Sequence, residues 1–242
     1  MVSQPISRLP STTELPCSDD TPVDNEEQNL LPNLLLLALI SLWSERMDWY
    51  FGVDMAIYHT TGISPKVPVV PDAFLSIGVE RRKASQAGRG RLSYAVWEEE
   101  AVPVLAIEMV SQTPGKEYDE KLKIYQRLGV LYYAIYNPWH WERDRHQAFE
   151  IYKLENGKYQ QQIGEPYWMP EVGLGIGRAR QSVGGVEMEV LLWHDEQGQA
   201  HPLPEEEIKE ARSQRNEAQQ RAERLAEYVR SLGLDPDNLP NP

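Results

Sequence analysis

The chain has 242 residues, 41% hydrophobic and 25% charged, which suits one good-sized buried core with appendages in a water-soluble protein. Its formal charge of −13 argues against a broad basic footprint for nucleic acid. Six carboxylates in residues 1–28 (Glu14, Asp19, Asp20, Asp24, Glu26, Glu27), set against Arg8, make the remainder milder than the total. The single cysteine, Cys17, excludes an intramolecular disulfide and a multi-thiolate metal site, which fits a reducing cytoplasm.

Residues 1–28 are rich in Ser, Thr, Pro and Asp and are predicted to be a disordered acidic tail. They show no basic segment followed by an apolar one, so no secretory signal is expected. From Leu30 to Arg46 the apolar residues Leu31, Leu34, Leu35, Ala38, Leu39, Leu42 and Trp43 recur at helical spacing, and Pro32 suits a first turn. The apolar run Leu34–Trp43 reaches only half of the roughly 20 residues that a membrane span needs. A soluble, cytoplasmic protein with no membrane partner is therefore expected.

A strand is predicted over Trp49–Tyr58, then an extended segment over Val67–Ile77 punctuated by Pro68 and Pro71. The polar stretch Glu80–Arg91, with five basic residues and two glycines, reads as a loop, either solvated or touching phosphates. Val102–Val110 has the near-continuous apolar character of a central strand covered on both faces. Glu117–Leu128 is predicted as an amphipathic helix stopped at Gly129. Val130–Tyr136 follows as a strand closed by Asn137-Pro138, so a strand–helix–strand unit runs from Val102 to Tyr136.

Glu155-Asn156-Gly157 marks a hairpin between Phe149–Leu154 and Lys158–Ile163. The glycines at 173, 175 and 177 suggest a turn or an irregular strand edge, because no helix-opening context supports a nucleotide-binding loop. Val186–Trp193 is predicted as the last strand. Pro202 and Pro204 mark a boundary before a charged helix over Glu205–Leu232. Its heptad positions fall at Ile208, Ala211, Arg215, Ala218, Ala222, Leu225, Val229 and Leu232. This seam, rich in alanine and broken by Arg215, fits a weak coiled coil, an interaction arm or a solvated single helix. The predicted organisation is a tail (1–28), a main domain (29–200), a helical arm (203–234) and a flexible end (235–242).

Two acids stand out. Asp72 follows Pro71 just before an apolar stretch, and Glu108 is the one charge in the strand Leu105–Val110. A buried carboxylate is costly without a partner or a metal. Two of them on neighbouring strands would make an oxygen-rich site for Mg²⁺. On these residues alone, a metal site and salt-bridged structural acids are equally good accounts. Glu45, at the end of the first helix, is either a third acid or a plain helix-end carboxylate. The five histidines share no ligand spacing, which makes zinc unsuitable, and no serine has a nucleophile-elbow context.

The run Ile107-Glu108-Met109-Val110-Ser111, continuing into Glu117–Tyr125 with Lys121 and Tyr125 four apart, then Gly129-Val130 and Tyr133, resembles the Uma-type restriction endonuclease family of the PD-(D/E)xK nuclease superfamily. Pro71-Asp72 matches that family's Pro-Asp, and the resemblance covers roughly residues 30–195. It implies an α/β, restriction-endonuclease-like fold: a mixed sheet flanked by helices, here with a C-terminal helical or coiled-coil arm. It also implies an endonuclease that hydrolyses DNA phosphodiesters with Mg²⁺, or Mn²⁺, held by Asp72 and Glu108. The superfamily's usual lysine, two residues beyond the strand acid, is replaced here by Val110. The resemblance instead makes Lys121, on the following helix, the catalytic lysine beside Asp72 and Glu108. Double-strand cleavage from one site per subunit would call for a homodimer. The alternative is a nuclease-fold binding module without turnover, whose helical arm mediates assembly.

Overall fold

The structure, a computed structural model, describes residues 8–16, 26–83, 90–111, 116–232 and 235–236. The chain divides into two compact units, Met1–His201 and Pro202–Pro242. In the first, the elements run α1 (Glu26–Leu42), β1 (Trp49–Val53), β2 (Ile57–Tyr58), β3 (Ala73–Ile77), β4 (Tyr94–Ala95), α2 (Val96–Glu99) and β5 (Leu105–Met109). A π-helical turn (Glu117–Lys121) leads into α3 (Leu122–Leu128), followed by β6 (Tyr132–Tyr136), α4 (Trp141–Asp144), β7 (Phe149–Glu155), β8 (Lys158–Gln161), β9 (Tyr167–Met169), β10 (Leu174–Val183) and β11 (Val186–His194).

A six-stranded mixed sheet in the order β1-β3-β5-β6-β7-β8 organises this unit. Its central strands β5 and β6 run parallel and are buried along their whole length. Parallel neighbours need a long crossover, and residues 110–131 supply it, with α3 covering one face. On that face Tyr125, Leu128, Val130 and Tyr133 join Ala106, Val110 and Phe74 in one apolar cluster. Gly129 ends α3 with a φ of 89°, a left-handed conformation that lets the chain turn directly into β6. α1 packs against β1 and against β11 of the three-stranded sheet β11-β10-β9. There the Trp193 indole donates to the Leu35 carbonyl at 2.9 Å.

Several expectations need correction. α1 starts at Glu26 and ends at Leu42, so Pro32 lies inside the helix rather than in its first turn. Glu26 and Glu27 in the first turn suit the positive end of the helix dipole. Residues 8–16, expected in a disordered tail, pack against the body: the Trp97 indole donates to the Pro10 carbonyl at 3.0 Å, and Leu15 is buried. The rest of the expected tail up to residue 25 lies outside the described residues. The strand expected over Trp49–Tyr58 breaks at Asp54, whose φ of 47° ends β1. In the glycine-rich segment at 173–177, Gly173 stands in a turn with a φ of 75°, while Gly175 and Gly177 lie in the ten-residue strand β10. In the basic loop, Arg91 forms a buried ion pair with Glu99 at 2.9 Å and the Arg81 guanidinium covers the Trp49 ring at 3.9 Å. Those two cations therefore serve the fold rather than waiting in solvent, while 84–89 lie outside the described residues.

Close packing between β1 and β3 fixes one residue type sharply. A Cβ at Gly52 would lie 2.3 Å from the Phe74 ring, and that ring is held between Tyr50 and Tyr94. Gly52→Ala is expected to destabilise the protein by about 1–3 kcal/mol through overpacking. A urea unfolding curve would show this as a lower midpoint at unchanged slope.

The second unit contains α5 (Pro204–Ser231), which opens with Pro204 at its first position and acids in its first turn. Its seam residues Ile208, Ala211, Ala218, Ala222 and Leu225 are all exposed. Among the described residues no helix is long and apolar enough to cross a membrane.

Candidate active site

The antiparallel register of β3 with β5 pairs Ala73 with Ile107. Continuing it by one residue sets Asp72 across from Glu108. The Asp72 Oδ2 accepts the Met109 N–H at 2.6 Å, which locks its carboxylate onto the neighbouring strand. The charge of Asp72 acts on the Glu108 carboxyl opposite it.

Glu108 shares a strand face with Ala106 and Val110, two positions away on either side, and this is the face that α3 covers. Its carboxylate is fully buried. Oε2 accepts from Lys121 Nζ at 2.7 Å, and Oε1 accepts from the Tyr125 hydroxyl at 2.6 Å. Lys121 and Tyr125 reach it together because they lie one helical turn apart on one face. The π turn supplies the start: Lys121 N–H bonds to the Lys116 carbonyl five residues back at 3.0 Å. Such turns recur at functional sites. Lys121 Nζ also donates to the Val70 carbonyl at 3.3 Å, just ahead of Asp72.

Burial pushes the Glu108 carboxyl up to about 8, with the nearby Asp72 charge acting in the same direction. Lys121 and the Tyr125 hydroxyl oppose this. Burial also raises Asp72 above the usual carboxylate range. Burial alone would lower the Lys121 ammonium. The fields of Glu108, Asp72 and Glu117 outweigh it, so Lys121 is raised and stays charged. At neutral pH the Glu108 carboxyl, at about 8, is therefore mostly protonated beside the Lys121 ammonium, and the cluster titrates as a coupled set rather than as three independent groups.

Asp72, Glu108 and Lys121 thus stand together. Glu45 does not join them: it is exposed in the turn before β1. That turn lies by Ile77, at the far end of β3 from Asp72, about 16 Å away along a five-residue strand. Lys123 is exposed on another face of α3. Val110, in the superfamily's lysine position, is buried in the apolar cluster beneath α3. Among the described residues no group of three or more His, Cys, Asp and Glu side chains is placed to hold a metal ion.

Sequence reasoning did not single out Tyr125 as the second ligand of Glu108, although its spacing from Lys121 carried that signal. It also missed a polar cluster beside the site. Asn137, fully buried, donates to Asp144 at 3.0 Å and to the Tyr118 hydroxyl at 3.2 Å. The Tyr118 ring stacks on His146 at 3.6 Å. Tyr118, Asp144 and His146 line a cleft of about 220 Å³ that reaches Val110.

Comparison with known proteins gives two findings. The sequence model of the Uma2 family, described as "Putative restriction endonuclease", matches residues 20–180. A solved structure, that of a putative nuclease belonging to DUF820 from Anabaena variabilis, aligns at a TM-score of 0.43 and 11% identity over 62% of this chain and 74% of that one. No curated protein matches the chain.

Proposed function

The chain belongs to the Uma2 family of restriction-endonuclease-like proteins, and from that premise we propose that it is a divalent-metal-dependent endonuclease that hydrolyses DNA phosphodiesters at Asp72, Glu108 and Lys121. The observation that carries this reading is the pair of opposed, enclosed carboxyls short of positive charge: Glu108 is pushed up to about 8 although Lys121 lies 2.7 Å away.

The donor set fits Mg²⁺. That ion binds through one or two carboxylates and keeps its remaining positions for water and substrate phosphates. Asp72 and Glu108 supply the two, and the proton that Glu108 carries at neutral pH occupies the charge balance a cation would take over. When bound, the cation supplies neutralisation of the charge that develops on the phosphate. Tyr125 and the Met109 N–H orient the two carboxylates, leaving little reorganisation at the moment of reaction. Lys121, still charged, offers its ammonium to a phosphate oxygen or to the attacking water. Mn²⁺ has the same oxygen preference and should replace Mg²⁺.

Because both acids must be ionised to hold the metal, binding releases the proton held at Glu108. Apparent Mn²⁺ affinity is therefore expected to rise with pH up to about 8 and then level off. Calorimetry in buffers of different ionisation heat would detect the proton release. Stability of the metal-free protein should move the other way. Between 4.5 and about 8 the folded chain holds a proton at Glu108 that the unfolded chain has lost, so stability falls as pH rises. A flat affinity profile from pH 6 to 8 would remove Glu108 from the metal site.

Two further parts of this reading concern setting and assembly. The single cysteine supports a cytoplasmic location. The open apolar seam of α5 supports a homodimer: Glu207 and Arg212 fall at flanking heptad positions that meet with opposite charge across a parallel pair. Deleting 203–242 is expected to convert a dimer to a monomer in light scattering. If the full chain is already a monomer, the arm has no self-assembly role.

A further inference from the structure

Of the seven tryptophans, five are buried or half-buried. The other two, Trp139 and Trp141, are 67% and 40% exposed and lie two residues apart. Both sit on the segment that leaves β6. Because β6 runs parallel to β5 with Tyr136 paired to Met109, this segment starts at the same end of the sheet as the two acids. A chain of contacts ties it there. Asp72 bonds the Met109 N–H, and the Met109 carbonyl accepts from the Gln28 side chain at 3.3 Å. The adjacent Glu27 accepts from the Trp139 indole N–H at 2.6 Å. That bond anchors one edge of the ring, and its exposed faces remain available.

The surroundings name the occupant. The segment 137–146 carries Arg143, paired with Asp144 at 2.7 Å, and Arg145, which is exposed and has no ion-pair or hydrogen-bond partner for its side chain among the described residues. Two aromatic rings followed by two arginines on one short segment suit nucleobases and a neighbouring phosphate. In an intact duplex the base faces are already covered by their neighbours, so an open ring gains them only after unstacking. A chain with a net charge of −13 is also poorly placed to draw its affinity from phosphate neutralisation, the term that dominates duplex binding. Stacking carries no such requirement and tolerates any base sequence.

We propose that Trp139 and Trp141 form a stacking platform for unpaired bases, and that the DNA reaching Asp72 and Glu108 is single-stranded there: a flap, a gap or a frayed end. This rests on the nuclease reading of the same site, and the test separates the two. Full-length protein in EDTA is titrated with a fluorescent-labelled oligothymidine and with a blunt duplex of the same length, following anisotropy and tryptophan emission. The single strand quenches the emission and binds at least about tenfold tighter than the duplex. Its affinity falls by less than about tenfold between about 50 and about 200 mM salt, where a phosphate-driven binder loses far more. Replacing both tryptophans by Ala weakens single-strand binding at least about tenfold, and replacing both by Phe restores most of it because the rings return. Both rings are exposed, so circular dichroism should show all variants folded.

A wild-type protein that binds the strand in this way but cuts no DNA in Mg²⁺ leaves the platform standing and sinks the nuclease reading. A protein that cuts DNA in Mg²⁺ but binds single strand and duplex alike, or is indifferent to the double Ala change, overturns the platform and leaves the nuclease. Equal loss with Phe and with Ala also overturns it, since the indole N–H rather than the ring face would then be responsible.

Discussion

Asp72→Asn and Glu108→Gln are each expected to lower Mg²⁺-dependent DNA cleavage by at least about 10³-fold, since a cation held over the phosphate is worth several kcal/mol and each 1.36 kcal/mol is tenfold. Both changes are nearly isosteric. An amide oxygen at position 72 can still accept the Met109 N–H, and one at position 108 can still accept from Tyr125, the bonds that place these side chains at 2.6 Å. The fold should therefore survive while the charge is lost. In the metal-free protein Glu108 already carries a proton at pH 7, so its change to Gln should alter stability by no more than about 1 kcal/mol. Initial cleavage rates and urea midpoints on the same preparations check both halves. A variant that keeps cleavage within about tenfold of wild type would remove that acid from the chemistry.

The second large effect belongs to Lys121. Lys121→Met keeps the length of the side chain and removes the ammonium that donates to Glu108 at 2.7 Å. Loss of one preorganised charged donor costs about 10²–10³ in kcat. The pH profile gives a sharper readout. The Lys121 charge holds the Glu108 carboxyl down, so without it Glu108 ionises at higher pH, and the rising limb of the profile moves to the alkaline side. Lys121→Arg keeps the charge but replaces a compact ammonium by a planar fork, so it should restore the limb's position more than the rate. A profile that does not move would return Lys121 to the rank of an ordinary helix lysine.

The acids were legible in the sequence for a simple reason. One charge in an otherwise apolar strand is expensive, which drew attention to Glu108, and the same logic with a family pattern picked out Asp72 and Lys121. Their mutual placement was not legible. It depends on the antiparallel register between β3 and β5, across a separation of more than thirty residues that no local pattern encodes. The π turn has no side-chain signature either, because it consists of a backbone bond from Lys121 to Lys116.

The misreadings have equally local causes. Of the glycines at 173, 175 and 177, Gly173 is a turn residue as expected, but the other two answer a packing demand. A Cβ at Gly177 would lie 2.8 Å from Pro166, and one at Gly175 would lie 3.2 Å from His194. Alternate positions share a strand face, so glycine at both marks a strand overlaid closely by its neighbours. The basic loop looked solvated because the buried acid it serves, Glu99, lies eight residues beyond Arg91. The hairpin, by contrast, was legible to within two residues: β7 runs one residue further, through Glu155, and β8 stops at Gln161 rather than Ile163. Asn156 and Gly157 adopt φ values of 50° and 77°, the conformations that a two-residue loop between twisted strands requires.

The central claim is that Asp72 and Glu108 make a metal-dependent DNA-cleaving site. Its most direct test incubates the full-length protein with supercoiled and single-stranded circular DNA in Mg²⁺, in Mn²⁺ and in EDTA, with Asp72→Asn alongside, and follows nicked and linear products. Cleavage in either metal, none in EDTA and none by the variant is the expected result. Cleavage that persists in EDTA or in Asp72→Asn, or intact DNA under every condition, would contradict it.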